Sequence, residues 1–384
     1  MPSGSVFRFI LFGGMRAFGS LVLLVLLFGW GSRALFEPTH REQVAFYAQQ
    51  QSGRNNGIYL MDVARALSQK IYTSDDWVFS MAWSPAGDQI AFSVQEQNTY
   101  HLYVMDADGR NPRRVTPQAT SSQPLHWSPD GQQIIFESYI ATMSALYIAD
   151  VATGETRILI DSTSGITTDF QWSPDFQQAA FATLRRTNAG LDIYTVRTEC
   201  VLQVVNCRSD RAPNSSSSDD FAPIWSADGR QIAFISNRQG QQQIYIADAG
   251  CKTPSTICNE RPRLLAPLAV NDFTLSWSPD NHWLLFSVYT RGAGSKLYLA
   301  NMQCEDCSRR FHNLTPNPDE DIFAAWSPDS RYFLYVKRHR SDVADIALMD
   351  IRCAETGLGC TRSSRLLTRN LYAWYPIWRP AATG

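Results

Sequence analysis

The first 199 residues contain no cysteine, and neither sign of charge is in excess: 34 lysines and arginines stand against 36 aspartates and glutamates, a net charge of −2. That balance excludes the basic footprint of a nucleic-acid binder. Charged residues are scarce at 18%, below the usual quarter. Without a GxSxG there is no nucleophile elbow of the α/β-hydrolase kind, and HExxH and GxxxxGK[ST] are missing too. The six histidines (His40, His101, His126, His282, His312, His339) are scattered and make no spaced metal-ligand pair. Met105–Gly109 (MDADG) lacks the further oxygens and closing glutamate of an EF-hand, so it reads as a hairpin turn. Lys337–Arg340 reads as a solvated basic loop. No metal or cofactor is expected.

Ala17–Ser32 (AFGSLVLLVLLFGWGS) is an uncharged apolar run, preceded by Arg8 and Arg16 and followed by Arg33. It is marginal for a membrane span, which takes about 17–25 residues, but Trp30 suits the interface and Arg16 and Arg33 can snorkel. The competing reading is a cleaved signal peptide, with Ser32 and Ala34 as a small-x-small site; a buried soluble helix is a third. The first two leave the N-terminus inside and export the rest. The expected organisation is a cytoplasmic stub and membrane anchor or signal over 1–36, one repeat domain over 37–380, and a tail over 381–384.

The eight cysteines fall in close pairs: Cys200 with Cys207, Cys251 with Cys258, Cys304 with Cys307, Cys353 with Cys360. Each pair follows a strand-like segment (IYTV, IYIAD, LYLAN, IALMD) at the same phase of a repeat. Two thiols flanking one hairpin loop come within disulfide range, and four local bridges imply an oxidising compartment. Zinc would need pairs from different repeats to converge. The CEDC at 304–307 lacks the βαβ surroundings of a thioredoxin-like pair.

Seven tryptophans open nearly the same phrase: WSPAGDQIAF at Trp83, WSPDGQQIIF at Trp127, WSPDFQQAAF at Trp172, WSADGRQIAF at Trp225, WSPDNHWLLF at Trp277, WSPDSRYFLY at Trp326, and a truncated WRP at Trp378. They recur about every 44–53 residues, the length of a four-strand propeller blade. Within one repeat, WVFSMAW, QIAFSV, HLYVMD and RRVTP read as four short strands, with SPAG as a tight turn. A tryptophan that every repeat needs is explained by packing between blades. Before Val44 there is no tryptophan phrase, while LYAWYPIW (371–378) is a spare first strand with nothing after it. The fold expected is therefore all-β, a seven-bladed β-propeller closed by the C-terminal strand.

The phrase WSPDG, then IAF, then IYVMD-like strands resembles the WD-like repeats of the TolB propeller family, across nearly all of residues 42–380. TolB itself places an α/β domain before a six-bladed propeller, so its envelope role does not carry over from the repeat. Peptidase relatives attach an α/β-hydrolase, for which no residues remain.

Loops after the second strand share one side, here the top, with the blade-to-blade connections. An aspartate stands five residues before the tryptophan in three successive repeats: Asp220, Asp272 and Asp321. The top loops carry Arg54, Arg185, Arg186, Arg238, Arg291 and Arg338. Two readings follow: ion pairs within each blade, or an anionic channel mouth with a basic surround that grips a partner. The function expected is non-catalytic, an exported, membrane-tethered propeller that binds a protein or an envelope polymer, with no nucleic acid as partner. The alternative is an enzyme acting on a polysaccharide or peptide at the channel mouth.

Overall fold

A computed structural model describes residues 42–380, apart from 51–55, 122–123, 141–142, 161–166, 185–189, 204–209, 212–217, 250–261, 267, 291–293, 304–310, 318, 340–342, 357–359 and 361–362. The apolar run 17–32 lies outside the described residues. Among those described, no helix is long and apolar enough to cross a membrane.

The described residues are all-β, with two short helices among them, Thr198–Gln203 and Arg352–Thr356. The strands pair antiparallel in chain order as four-stranded meanders. We number these sheets I to VII. Their first, inner strands are Leu371–Trp378 (I), Trp77–Trp83 (II), His126–Trp127 (III), Thr167–Trp172 (IV), Asp220–Trp225 (V), Val270–Trp277 (VI) and Glu320–Trp326 (VII). Sheet I is built from both ends of the chain: Leu371–Trp378 pairs antiparallel with Gln43–Gln50, bringing Trp378 opposite Val44 and Ala373 opposite Ala48. Sheets VII and I also meet at one parallel bridge, Ala344 with Tyr372.

The repeated phrase has a physical reason at each position. In sheet III, Ser128 Oγ donates to Asp130 Oδ1 at 2.6 Å and accepts from Gln133 N at 2.9 Å, while Asp130 accepts from Gln132 N at 3.0 Å. The same hydroxyl-to-carboxylate bond joins Ser173 to Asp175, Ser226 to Asp228, Ser278 to Asp280 and Ser327 to Asp329. Each turn needs one residue in the left-handed region: Gly87, Gly131 and Gly229 take it without strain, and Phe176, Asn281 and Ser330 take it elsewhere. The second strands are buried on both faces, with Ile90, Ile134, Leu284 and Phe333 fully enclosed. This is why they read as continuous apolar runs.

The tryptophans fill the seams between sheets. Trp83 Nε1 donates to Ile377 O at 3.3 Å, Trp127 to Ala82 O at 3.1 Å, Trp172 to Trp127 O at 2.9 Å, Trp326 to Ser276 O at 3.2 Å and Trp378 to Ala325 O at 2.9 Å. Each bond crosses to the preceding sheet. Arg379 adds a clasp across the I–II seam, donating to Gly87 O at 2.8 Å and lying over the Trp83 ring at 5.3 Å.

Candidate functional site

Three residues before the repeat tryptophan, the inner strands bulge. Asp169, Ala222, Phe323 and Tyr375 hold positive φ there, between 50° and 58°. A bulge breaks the ladder and re-aims one side chain, and positive φ in a bulky residue such as Phe323 is unusual enough to mark a strained position. The equivalent residues in sheets II, III and VI are Ser80, Pro124 and Thr274. We call these seven corresponding positions on the inner strands the collar.

The collar is lopsided. Beside it, sheets VII, I and II carry a belt of aromatic side chains. Phe323 stacks near Tyr375 at 5.2 Å and Trp374 at 5.7 Å. Tyr372 meets Trp374 at 5.1 Å and Trp77 at 5.7 Å, Trp77 meets Phe79 at 6.1 Å, and Phe79 meets Tyr100 at 5.1 Å. The belt is only half covered, and Trp77, at the top end of its strand, is 39% exposed. On sheets III to VI the residues are smaller and a cavity of about 560 Å³ opens. Its polar lining includes His126, Glu137, Thr168, Asp169 and Asp219. Glu137 accepts from Thr168 Oγ1 at 3.0 Å, and Asp169 accepts from Ala222 N at 3.1 Å across the IV–V seam. Asp219 accepts from Leu191 N at 3.0 Å and from Asn237 Nδ2 at 3.0 Å. Burial pushes His126 down to about 4, so its imidazole is neutral near pH 7. A second cavity, about 500 Å³, lies on the other side between the turns of sheets IV and V, lined by Asp175, Gln178, Trp225, Asp228 and Arg230.

The aspartates singled out in the sequence sit behind this mouth. Asp220 is fully buried, and Arg238 reaches back to its Oδ1 at 3.0 Å while lying over the Tyr245 ring at 4.4 Å. Burial raises the Asp220 pKa, and hydrogen bonds from Ser236 and Arg238 oppose the rise. Asp321 is also fully buried, but its blade mate is not Arg338. Strand register explains this: Arg338 stands opposite Glu320 and bonds it at 3.0 Å, whereas Asp321 stands opposite Lys337. Neither aspartate is an exposed acid at a mouth. Asp272 lies in the inner strand of sheet VI with its side chain outside the description, and Arg54, Arg185, Arg186 and Arg291 lie outside the described residues.

Cys353 and Cys360 are disulfide-bonded, with Cα atoms 5.0 Å apart, and Cys200 is disulfide-bonded as well. Cys207, Cys251, Cys258, Cys304 and Cys307 lie outside the described residues. The MDADG segment is a hairpin turn, with Gly109 N donating to Asp106 O at 2.9 Å. Among the described residues no group of three His, Cys, Asp or Glu side chains could hold a metal ion.

Glu137 and Asp169 escaped the reading by motif, although each carries a signal. Glu137 stands where the other second strands place Tyr47, Ser93, Ala182, Ile235, Ser287 and Val336, none of them charged, and Asp169 is the one acid among the seven collar residues. A charge at a position that is otherwise small or apolar marks the lopsidedness.

Residues 93–261 match the TolB beta propeller domain family. Among solved structures, TolB from Acinetobacter baumannii superposes with a TM-score of 0.50 at 19% identity, over 88% of this chain and 82% of that one. The β-propeller domain of the Trilobed protease from Pyrococcus furiosus gives 0.58 at 12% identity, over 86% and 94%. The acylaminoacyl peptidase of Pyrococcus horikoshii gives 0.57 at 13%, over 86% of this chain and 52% of that one. At such identities the likeness concerns the fold. The repeat in this chain is of the TolB beta propeller type.

Proposed function

We propose that the seven sheets are the blades of one ring, sealed by Leu371–Trp378 beside Gln43–Gln50, and that the ring is a non-catalytic module that binds a protein or an envelope component at its top. The carrying observation is the aromatic belt from Tyr100 through Trp77 and Tyr372 to Phe323. Half-exposed, contiguous aromatic surface is what protein interfaces use as anchors. Arg338 on sheet VII supplies steering charge, and Arg185, Arg186 and Arg291, which lie outside the described residues, are proposed to add to it. Asp220 and Asp321, both fully buried, brace the inner strands of sheets V and VII. Similarity to TolB and the cysteine pairs support an exported ring in an oxidising compartment, tethered through residues 17–32 or released by cleavage. The competing reading, an enzyme on a polysaccharide or peptide, draws on the cavity that brings neutral His126 near Glu137 and Asp169, and on the peptidases that share the fold.

The test is photo-cross-linking in intact membranes, with a reactive residue at Trp77 or, on the opposite side, at Asp130. A discrete adduct from Trp77 that is lost when Tyr372 and Phe79 are changed to alanine supports the reading. Adducts only from Asp130 refute it. Hydrolysis or lyase activity abolished by Glu137→Gln favours the enzyme.

A further inference from the structure

A continuous network of charged groups runs from sheet VI through sheet VII to the strand that closes sheet I. Its centre is Asp321, whose Oδ2 accepts from Asn317 Nδ2 at 3.1 Å and whose Oδ1 is buried with no hydrogen-bond partner. Lys337 faces it from the second strand of sheet VII, Lys296 from the third strand of sheet VI, and Asn317 and Thr315 from the segment entering sheet VII. The Tyr335 hydroxyl is also within its field. Lys296, itself 5% exposed, donates to the Asp319 carbonyl, and Lys337 pairs with Asp319 Oδ2 at 2.9 Å. His339 stands between Asp319 at 3.7 Å and Asp345 at 3.5 Å. Asp345 then holds the start of the closing strand, accepting from Thr368 Oγ1 at 3.0 Å, Asn370 N at 3.3 Å and Leu371 N at 3.4 Å. Arg338 is engaged outside, with Glu320.

We propose that Asp321 is the titrating element of a latch that firms the seat of the closing strand as the surroundings acidify. A buried carboxylate with one oxygen lacking a donor is an expensive charge, and its neighbours only partly offset the cost. Burial pushes Asp321 up to about 6, against the pull of Lys337, Asn317 and Lys296. A carboxyl whose folded pKa lies above its unfolded value binds its proton more tightly when folded. Its stabilising contribution is therefore complete below about pH 4 and is lost as pH rises through about 6. Asp319 shifts the other way, held down by Lys337, His339 and Lys296 against burial. Its contribution fades only below about pH 4, outside the window in which Asp321 titrates. The half-buried His126, His101 and His312, all pushed down by desolvation, have the sign opposite to Asp321. The reading must therefore be a difference between wild type and variant.

Asp321→Asn keeps the acceptor for Asn317 and removes the titration. Between pH 5.0 and 7.5 the unfolding constant of the wild type should rise about tenfold more than that of the variant. Hydrogen exchange, corrected for its intrinsic pH dependence, should show residues 371–378 of the wild type losing protection over the same range. Asp345→Asn should abolish that loss at 371–378 while leaving it at 320–326, and this arm stands if the first variant fails to fold. Parallel pH profiles for wild type and Asp321→Asn overturn the proposal. So does a loss of protection that never reaches 371–378 in the wild type, or one that Asp345→Asn leaves unchanged there.

Discussion

Two kinds of seam join the sheets. At I–II, II–III, III–IV, VI–VII and VII–I, an indole N–H crosses to a carbonyl of the preceding sheet. At both seams of sheet V the tryptophan is as deeply buried, Trp225 at 8% and Trp277 at 9% exposed, yet neither Nε1 has a partner. The same sheet borders both cavities: Phe221, Ala222, Pro223 and Ile224 line the larger, and Trp225 and Asp228 the smaller. Ring packing and hydrogen bonding are thus separable contributions of one residue type. At five seams the tryptophan supplies both, and beside sheet V it supplies packing alone.

The comparison is tested hardest by removing whole rings. Trp378→Ala deletes a buried indole from the closing strand and leaves Ala325 O without its donor, so a loss of about 3–5 kcal/mol is expected. Trp225→Ala should cost about 1–2 kcal/mol less, since no bond is broken and a void already adjoins the site. Denaturant midpoints for the pair decide it, and equal losses would mean that the two kinds of seam do not differ. Sheet V has a compensating latch of its own. Arg238→Ala strips the buried Asp220 of its guanidinium, which should cost about 3 kcal/mol. Arg338→Ala breaks a pair whose arginine is 49% exposed and should cost under about 1 kcal/mol.

A finer cut keeps the ring and removes only the donor. Trp127→Phe should cost about 1–2 kcal/mol, because Ala82 O loses its partner inside the seam. Trp225→Phe should be close to neutral, because its N–H has no partner to lose. Thermal unfolding of the two variants gives the contrast directly.

Much of this was legible in the sequence. The tryptophan phrase carried the strand order within a repeat, the turn positions and the pairing of 371–378 with 43–50, because a motif repeated from sheet to sheet must serve the architecture. Differences between copies were harder to read. Trp225 opens the same phrase as the other repeat tryptophans, yet its Nε1 has no partner, and the phrase itself does not announce the difference. Pairing Arg338 with Asp321 failed for a plainer reason: adjacent residues on a strand face opposite sides, and the register places Glu320 opposite Arg338. Asp219, next to Asp220, lines the cavity while Asp220 is enclosed, by the same alternation. Glu137 and Asp169 were visible as departures from the repeat, but only a three-dimensional collar shows that they share a space.

A small effect of opposite sign concerns the turn that borders the second cavity. In sheet IV the left-handed turn position is held by Phe176, with φ 53° and 39% of its surface exposed. Gly131 and Gly229 occupy the matching position in sheets III and V. An L side chain there costs about 1–2 kcal/mol, and an exposed ring recovers little of that by packing. Phe176→Gly should therefore stabilise the protein, by about 0.5–1 kcal/mol once the greater freedom of glycine in the unfolded chain is included. A rise in the thermal midpoint of a degree or two is the expected reading. A fall would show that the Phe176 ring packs usefully at the IV–V seam, and that this seam is firmer than its unpartnered indole implies.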